Sequence, residues 1–244
     1  MDFLPKNAIL ERKPDTLEYV RSVFNLEKPG VMKDAVNILN EWIQKQPHFN
    51  KKDFRPFYLE TTILGCKGSI ERSKMQIDKI CTMRTLLPQF FGSYNPKTDF
   101  EHLYEVVNSL MLPKLTEDHQ RVFVCQFHDV EWEASQGIYF YRHNISLAEY
   151  AKVHDYLSGF VMIIDFSQAN LMDFVMKMNL VHLRQAMTIY IFSDEFTEVL
   201  SSEEHLNYLR EMDSATTNEE FRQKDKFSEQ YAGMPGTFRL LSVD

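Results

Sequence analysis

The chain has 244 residues and a mass of 28.9 kDa, with 44% hydrophobic and 25% charged residues. These are the proportions of a folded globular protein, and they exclude a disordered or fibrous chain. The formal net charge of −8 argues against a general nucleic-acid binder, so no nucleic acid is expected as a partner.

The charge is divided unevenly along the chain. Residues 1–98 carry 16 Lys and Arg against 11 Asp and Glu, and residues 99–244 carry 11 against 24, so the net charges are +5 and −13. A basic first part is compatible with contact with an anionic membrane surface. An ordinary solvated helical surface is the alternative.

The cysteines and the start of the chain predict a cytoplasmic, reduced protein. Cys66, Cys81 and Cys125 are too few and too far apart for a disulfide framework or a zinc site. The first residues lack a charged-then-apolar leader, and no apolar run approaches the roughly 18 residues of a membrane-spanning helix. Asn144 begins a glycosylation sequence, which we interpret as chance because no secretory route is expected.

The first hundred residues predict an all-helical part. A short helix is expected at residues 15–24, and Pro29 and Gly30 then break the chain. In residues 31–45 the apolar side chains recur at intervals of three and four, which predicts a helix with one apolar face, ended by Pro47. The residues on that face are Val31, Ala35, Ile38, Leu39, Trp42 and Ile43.

Two more helices are expected before the turn-rich residues 92–98. One covers residues 54–64 and ends at glycines, and the next begins after Ser69, a good N-cap, and ends near Pro88. Residues 92–98 are rich in turn formers and coincide with the change in charge. We place the domain boundary there, between a helical domain at 1–92 and a second domain at 99–244.

The second part mixes strands and helices. Residues 121–127 and 137–141 are rich in β-branched and aromatic side chains, which predicts strands. Residues 145–157 have helical spacing, residues 160–166 form an apolar run typical of a strand buried on both faces, and residues 171–190 return to helical spacing. This order predicts the α/β fold class.

The last fifty residues are acidic and weakly apolar. One helix is expected at residues 202–212, and residues 237–243 read as an extended tail. We expect residues 193–244 to wrap around the rest of the molecule.

Motifs of catalysis are mostly absent from the sequence. It contains no glycine-rich phosphate loop, no Gly-x-Ser-x-Gly and no His-Glu-x-x-His, so we expect no enzyme and no cofactor. The pairs His128–Asp129 and His154–Asp155 are typical of metal hydrolases only when further ligands accompany them, and surface polar residues are the alternative. Cys125, on a predicted strand, is expected to be a buried and inert small hydrophobe.

The chain is rich in flexible apolar residues, and several of them are close together in the sequence. The chain has 12 Met and 19 Phe. Methionine fills irregular space, so a cluster of it suits either a cavity for a hydrophobic ligand or an ordinary core. The clustered residues are Met162, Met172, Met176, Met178 and Met187.

Several segments together resemble the CRAL-TRIO lipid-binding family, in particular insect relatives of α-tocopherol transfer protein and cellular retinaldehyde-binding protein. Residues 38–48 resemble the family's tryptophan helix and Gln-Pro-His stop, and residues 57–88 its next two helices. Residues 112–124 are similar to the first strand of the lipid-binding domain, and residues 158–166 to its central strand. Residues 236–244 resemble the tail of the insect branch.

The resemblance implies a helical N-terminal domain followed by a CRAL-TRIO α/β lipid-binding domain that carries one hydrophobic molecule and catalyses nothing. Some members of the family exchange that molecule at phosphoinositide-containing membranes. The positions matching the family's pocket are Phe160, Met162 and Ile164 on the central strand and Met178, Ala186, Ile189 and Tyr190 on the following helix. His182 or Gln185 is the candidate for selecting a polar head group.

The chain also departs from the family after residue 190. The further strand, the gate helix and the basic residues that contact phosphoinositides are not found there. The leading hypothesis is therefore a carrier of a retinoid, tocopherol, carotenoid or similar lipid. The alternative is a degenerate relative that acts as a protein-interaction module, and a hydrolase using His128, Asp129, His154 and Asp155 is a third. The sequence leaves the oligomeric state undetermined.

Overall fold

The computed structural model describes residue 7 and residues 9–128, 132–133, 136–189 and 203–222. These residues form helices and one three-stranded sheet, which is compatible with the predicted α/β class. Among them, no helix is both long and apolar enough to cross a membrane.

The helical part follows the predicted order. It contains α1 (Thr16–Val23), α2 (Val31–Lys45), α3 (Pro56–Gly65) and α4 (Ile70–Leu86). The predicted cap of α4 is confirmed, because the Ser69 hydroxyl accepts a hydrogen bond from the Arg72 amide at 3.3 Å. A 3₁₀ turn (Pro88–Phe90), the short α5 (Pro96–Asp99) and a second 3₁₀ turn (Glu101–Leu103) lead to the sheet.

The apolar face of α2 packs into the core of the helical part. Leu39 and Ile43 are fully buried there, and each stabilises the fold by roughly 1.5–3 kcal/mol. Ile38, predicted on the same face, is half exposed. The core also takes in Tyr156 and Tyr208 from much later in the chain, so distant segments share it.

The sheet is formed by three strands in the order β1 (Val107–Leu115), β2 (Gln120–Phe127) and β3 (Gly159–Asp165). The first two pair antiparallel, and β2 and β3 pair parallel. The strand predicted at residues 121–127 is confirmed as β2. The stretch that resembled a single first strand, residues 112–124, instead holds the turn between two strands, and β1 was not predicted.

The strand predicted at residues 137–141 is wrong, because these residues belong to α6 (Gln136–His154). Aromatic and β-branched side chains favour strands only weakly, and packing decides between the two structures. Here Phe140 contacts the ring of Phe127 on β2, and Tyr141 contacts Phe90. A helix satisfies both contacts at once.

The prediction that β3 is buried on both faces is also wrong. Phe160, Ile163 and Ile164 are each about half exposed. These side chains stay partly exposed because the described elements that pack on β3 cover its faces only in part. Residues 171–190, predicted as one helical stretch, contain two helices, α7 (Leu171–Lys177) and α8 (Leu180–Ile189). A new helix begins because the Asn179 side-chain oxygen accepts hydrogen bonds from the Val181 and His182 amides.

The predicted helix near residues 202–212 is confirmed as α9 (Glu203–Met212), followed by a 3₁₀ turn (Glu219–Phe221). This segment lies against the helical part. Phe49 and Thr217 form an antiparallel bridge, and the Arg222 guanidinium donates to both Asp78 carboxylate oxygens at 2.9 and 2.8 Å. The predicted extended tail, residues 237–243, lies outside the described residues.

A buried polar cluster connects the helical part to α6 and α9. The Glu149 carboxylate contacts the Arg84 guanidinium at 3.0 Å and accepts a hydrogen bond from the Tyr208 hydroxyl at 2.9 Å. Nearby, the Lys152 ammonium donates to the Tyr58 hydroxyl at 3.2 Å. Burial alone would raise the pKa of Glu149, but the positive charges of Arg84 and Lys152 outweigh it and lower that pKa.

Candidate ligand-binding cavity

One apolar cavity of about 380 Å³ lies between the sheet and three helices. Its floor is the inner face of β2 and β3, and its walls come from α6, α7 and α8. The volume is within the range of small-molecule sites. The lining residues are Cys125, Phe127, Phe140, Tyr141, Asn144, Ile145, Met162, Ile164, Phe166, Leu171, Phe174, Val175, Met178, Leu183 and Ala186.

The register of the sheet explains which strand residues reach the cavity. Cys125 on β2 pairs with Ile164 on β3, and Phe123 pairs with Met162. Paired residues share a face, and alternate residues of one strand do so as well. Because Cys125 and Phe123 face the core, Met162 and Ile164 face the same way, into the cavity.

Aromatic rings close one end of the cavity. The ring of Phe127 stacks on Phe166 at 4.5 Å between centroids and lies 4.8 Å from Phe174. Trp132 is buried behind them and makes edge contacts with Phe127 and Phe174. Such contacts fix the ring positions, so this wall is well defined.

Four of the predicted pocket residues, Met162, Ile164, Met178 and Ala186, line this one cavity. Phe160 does not: it shares the inner face of β3 but lies beyond the cavity against Phe123, and it is 53% exposed. The side chain of Ile189 and the whole of Tyr190 lie outside the described residues.

The candidates for selecting a head group, His182 and Gln185, are not among the lining residues. His182 packs on the other side of α8, edge-on to Phe90 at 5.7 Å, and desolvation lowers its pKa. Leu183 and Ala186, three residues apart, are the α8 side chains that face the cavity instead.

Asn144 is a polar lining residue that the sequence did not indicate. It is 4% exposed, and its amide nitrogen Nδ2 donates to the Phe140 carbonyl at 2.6 Å. Its carbonyl oxygen Oδ1 has no hydrogen-bond partner among the described residues. A buried acceptor left unpaired costs about 1–3 kcal/mol, which a bound hydroxyl group would recover. Its burial also agrees with interpreting the glycosylation sequence as chance.

A signal for this wall was present in the sequence. Phe140 and Asn144 are four residues apart, as are Tyr141 and Ile145, and all four line the cavity from one face of α6. Assigning residues 137–141 to a strand concealed this spacing.

Burial raises the pKa of Tyr141 to about 12, so its hydroxyl stays neutral at physiological pH. A neutral and apolar interior of this kind suits an uncharged ligand.

The His-Asp pairs considered for a hydrolase site are not arranged as such a site would require in the described residues. Asp155 is fully buried rather than at the surface, and its carboxylate is held by Arg121 in two contacts of 2.8 and 3.0 Å. His154 lies against the Tyr150 ring, and Asp129 lies outside the described residues. In the part of the chain that the structure describes, no group of three or more His, Cys, Asp or Glu could hold a metal ion.

Comparison with known proteins gives one result. The family model described as "Pinta-like, UBA domain" matches residues 28–100, which include α2, α3, α4 and α5. No curated protein and no solved structure gives a significant match. The matched region is less than half of the chain and ends before the sheet and the cavity.

Proposed function

We propose that the protein is a non-enzymatic carrier of one small hydrophobic molecule of the retinoid, tocopherol or carotenoid type. The observation that carries this proposal is the neutral, apolar cavity between β2, β3 and α6–α8. Removing apolar ligand surface from water would supply the affinity, at roughly 25 cal/mol per Å². The CRAL-TRIO resemblance of residues 38–48 and 158–166 supports the same ligand class, and the three widely spaced cysteines favour a cytoplasmic site of action.

The cavity is tested by placing a charge in it. Met178→Lys puts an ammonium group among apolar walls, so we expect it to abolish uptake of retinol and α-tocopherol while the fold persists. Met176→Lys is the matched control, because Met176 lies two residues away, is 79% exposed and does not line the cavity. Native mass spectrometry counts the bound ligand, and circular dichroism checks the fold of each variant.

Ligand loading is compared among the parent chain, Met176→Lys and Met178→Lys. Loading of the parent chain and of Met176→Lys, but not of Met178→Lys, supports the carrier function. Equal loading of all three proteins would mean that this cavity is not the site. If the parent chain takes up neither ligand, the proposal fails for these ligand classes.

Transfer at an anionic membrane is part of the proposal and rests on the charge of +5 in residues 1–98. Co-sedimentation with vesicles containing phosphatidylinositol bisphosphate tests it. We expect binding that weakens with salt, since screening removes attraction between exposed charges. Equal binding to neutral vesicles would contradict an electrostatic contact.

A protein-interaction function is the second candidate, favoured by the match of residues 28–100 to a UBA-domain model. Most apolar side chains of α2–α4 are buried, although Ile38 on α2 is half exposed. UBA domains typically bind ubiquitin, so titration into ¹⁵N-labelled ubiquitin is the direct test. Resonance shifts that Ile38→Lys abolishes, in a chain that loads no lipid, would favour this function over the carrier.

A further inference from the structure

The apolar cavity is bounded at one end by packed aromatic rings. Phe127, Phe166 and Phe174 contact each other, with ring centroids 4.5–5.3 Å apart. The buried Trp132 lies behind them and contacts Phe127 and Phe174. A ligand that extended past this end would have to displace rings that are held by several neighbours, and it would lose the contacts of all of them.

The opposite end of the cavity lies where α6 and α8 meet the helical part. Ile145 and Ala186 line the cavity there. They belong to one buried cluster with Met83 and Phe90, which are fully buried. Tyr141, also a lining residue, packs on the Phe90 ring at 6.0 Å between centroids. This end is therefore closed by side chains of the protein core.

The space between these two ends has a definite capacity. A cavity of about 150 Å³ in another protein holds one molecule of benzene. In proportion to the carbon atoms of benzene, the volume of about 380 Å³ holds about 15 non-hydrogen atoms. A larger molecule would keep its remaining atoms outside the described walls, where they stay in water and add little affinity.

The walls also restrict the chemistry of the ligand. None of the described lining residues is charged, so a fatty-acid carboxylate would lose its hydration without gaining an ion pair. The buried Oδ1 of Asn144 favours a hydroxyl group instead. An unsaturated chain also has an advantage over a saturated one, because its double bonds do not rotate and fewer torsions are immobilised on binding.

We propose that the cavity encloses an uncharged isoprenoid alcohol of the size of farnesol, which has about 15 carbon atoms. This inference rests on the proposed carrier function and narrows its ligand. Retinoids, tocopherols and carotenoids contain the same isoprene units but exceed the capacity of the described walls, so they would bind with one end outside.

A series of isoprenoid alcohols tests the capacity. Geraniol, farnesol and geranylgeraniol have the same hydroxyl end, and each is one isoprene unit longer than the one before. Farnesol should bind at least about tenfold more tightly than geraniol, because one further unit is buried. Geranylgeraniol should bind no more than about twofold more tightly than farnesol, because its last unit stays in water. Native mass spectrometry with equimolar pairs of alcohols measures the ratio of their affinities.

Phe174→Ala tests whether the aromatic end sets the limit. It removes a ring of about the bulk of one isoprene unit, so geranylgeraniol should then bind roughly tenfold more tightly than farnesol. Phe174 is only partly buried, so we expect the fold to persist, which circular dichroism checks. Phe221→Ala is the matched control, because Phe221 is 60% exposed and does not line the cavity. It should keep the preference of the parent chain.

Farnesoic acid tests the neutrality of the site. It has the chain of farnesol but carries a carboxylate, so it should bind at least about a hundredfold more weakly than farnesol at neutral pH. Equal binding of the acid and the alcohol would contradict an uncharged ligand.

The outcomes separate this inference from the carrier function. Affinity that rises as steeply from farnesol to geranylgeraniol as from geraniol to farnesol overturns the size limit, and so does uptake of retinol without uptake of farnesol. The carrier function stands in both cases. If the parent chain takes up neither retinol nor any of the three alcohols, both proposals fail.

The variants complete the test. A limit at farnesol that Phe174→Ala moves and Phe221→Ala leaves in place supports the inference. A limit that Phe174→Ala does not move overturns the assignment of the aromatic end. Met178→Lys should take up none of the alcohols, and uptake equal to that of the parent chain would mean that they bind outside this cavity.

Discussion

Asn144 is the lining residue that we expect to discriminate between hydrophobic ligands with and without a hydrogen-bond donor. The other walls are apolar or neutral, so they favour any hydrophobic molecule of suitable shape. The carbonyl oxygen Oδ1 of Asn144 is buried and has no partner among the described residues. A site that leaves a buried acceptor unpaired discriminates in favour of a ligand that supplies a donor.

This argument predicts a selective effect of Asn144→Ala. Retinol, which has a hydroxyl group, should bind roughly fivefold more weakly, because a hydrogen bond contributes about 1 kcal/mol. A hydrocarbon of the same skeleton should bind as it does to the parent chain. Quenching of tryptophan fluorescence measures both, since Trp132 lies directly behind the cavity wall. An equal loss for the two ligands would assign Asn144 a structural role only.

At the scale of elements, buried ion pairs determine how helices and strands are joined. Arg121 on β2 holds Asp155 after α6 and donates to the carbonyls of Glu11, Leu112 and Pro113, so one guanidinium joins four segments. The Glu149 cluster joins α4, α6 and α9 in the same way. Removing one partner of such a pair leaves an uncompensated buried charge.

Glu149→Gln is accordingly expected to lower the free energy of unfolding by about 3 kcal/mol at neutral pH. The pKa of Glu149 is lowered in the folded chain from its reference value of 4.5, so its contribution is present above that value. The contribution is lost as the pH falls through the folded-state pKa. The difference between the parent chain and the variant should therefore shrink below pH 4.5.

Urea unfolding at neutral and acidic pH measures this difference. The exposed Glu18 on α1 provides the control, and Glu18→Gln should change the free energy of unfolding little at either pH. A Glu149→Gln deficit that stayed constant with pH would contradict the assigned ion pair.

At the scale of the whole molecule, the cavity depends on elements brought together from residues 125 to 186. A ligand in this cavity would contact β2, β3, α6, α7 and α8 at once and would be released if they separated. Ligand binding and global stability are therefore coupled, because only the folded chain has the site.

We expect a saturating ligand to raise the melting temperature. At a concentration of about 100 times Kd the added stability is about 2.7 kcal/mol, which corresponds to roughly 5–10 °C for a chain of this size. Thermal unfolding followed by circular dichroism, with and without retinol, measures the shift. The same shift in Met178→Lys would show that stabilisation arises elsewhere than in the cavity.

The sequence by itself determined the elements whose pattern is local. The apolar spacing of α2, the cap at Ser69, the strand β2 and the helix α9 were all predicted, because neighbouring residues alone fix a helical or extended pattern. Four cavity residues were also named, Met162, Ile164, Met178 and Ala186, on the strength of the CRAL-TRIO resemblance.

Only the tertiary structure decided what depends on partners distant in the chain. Residues 137–141 have strand composition and form a helix because Phe127 and Phe90 pack against it. The apolar run of β3 is half exposed because exposure depends on which elements pack against a strand, which composition does not encode. The spacing of Phe140 and Asn144 places both on one face of α6, but only the packing of α6 against the sheet decides that this face lines the cavity.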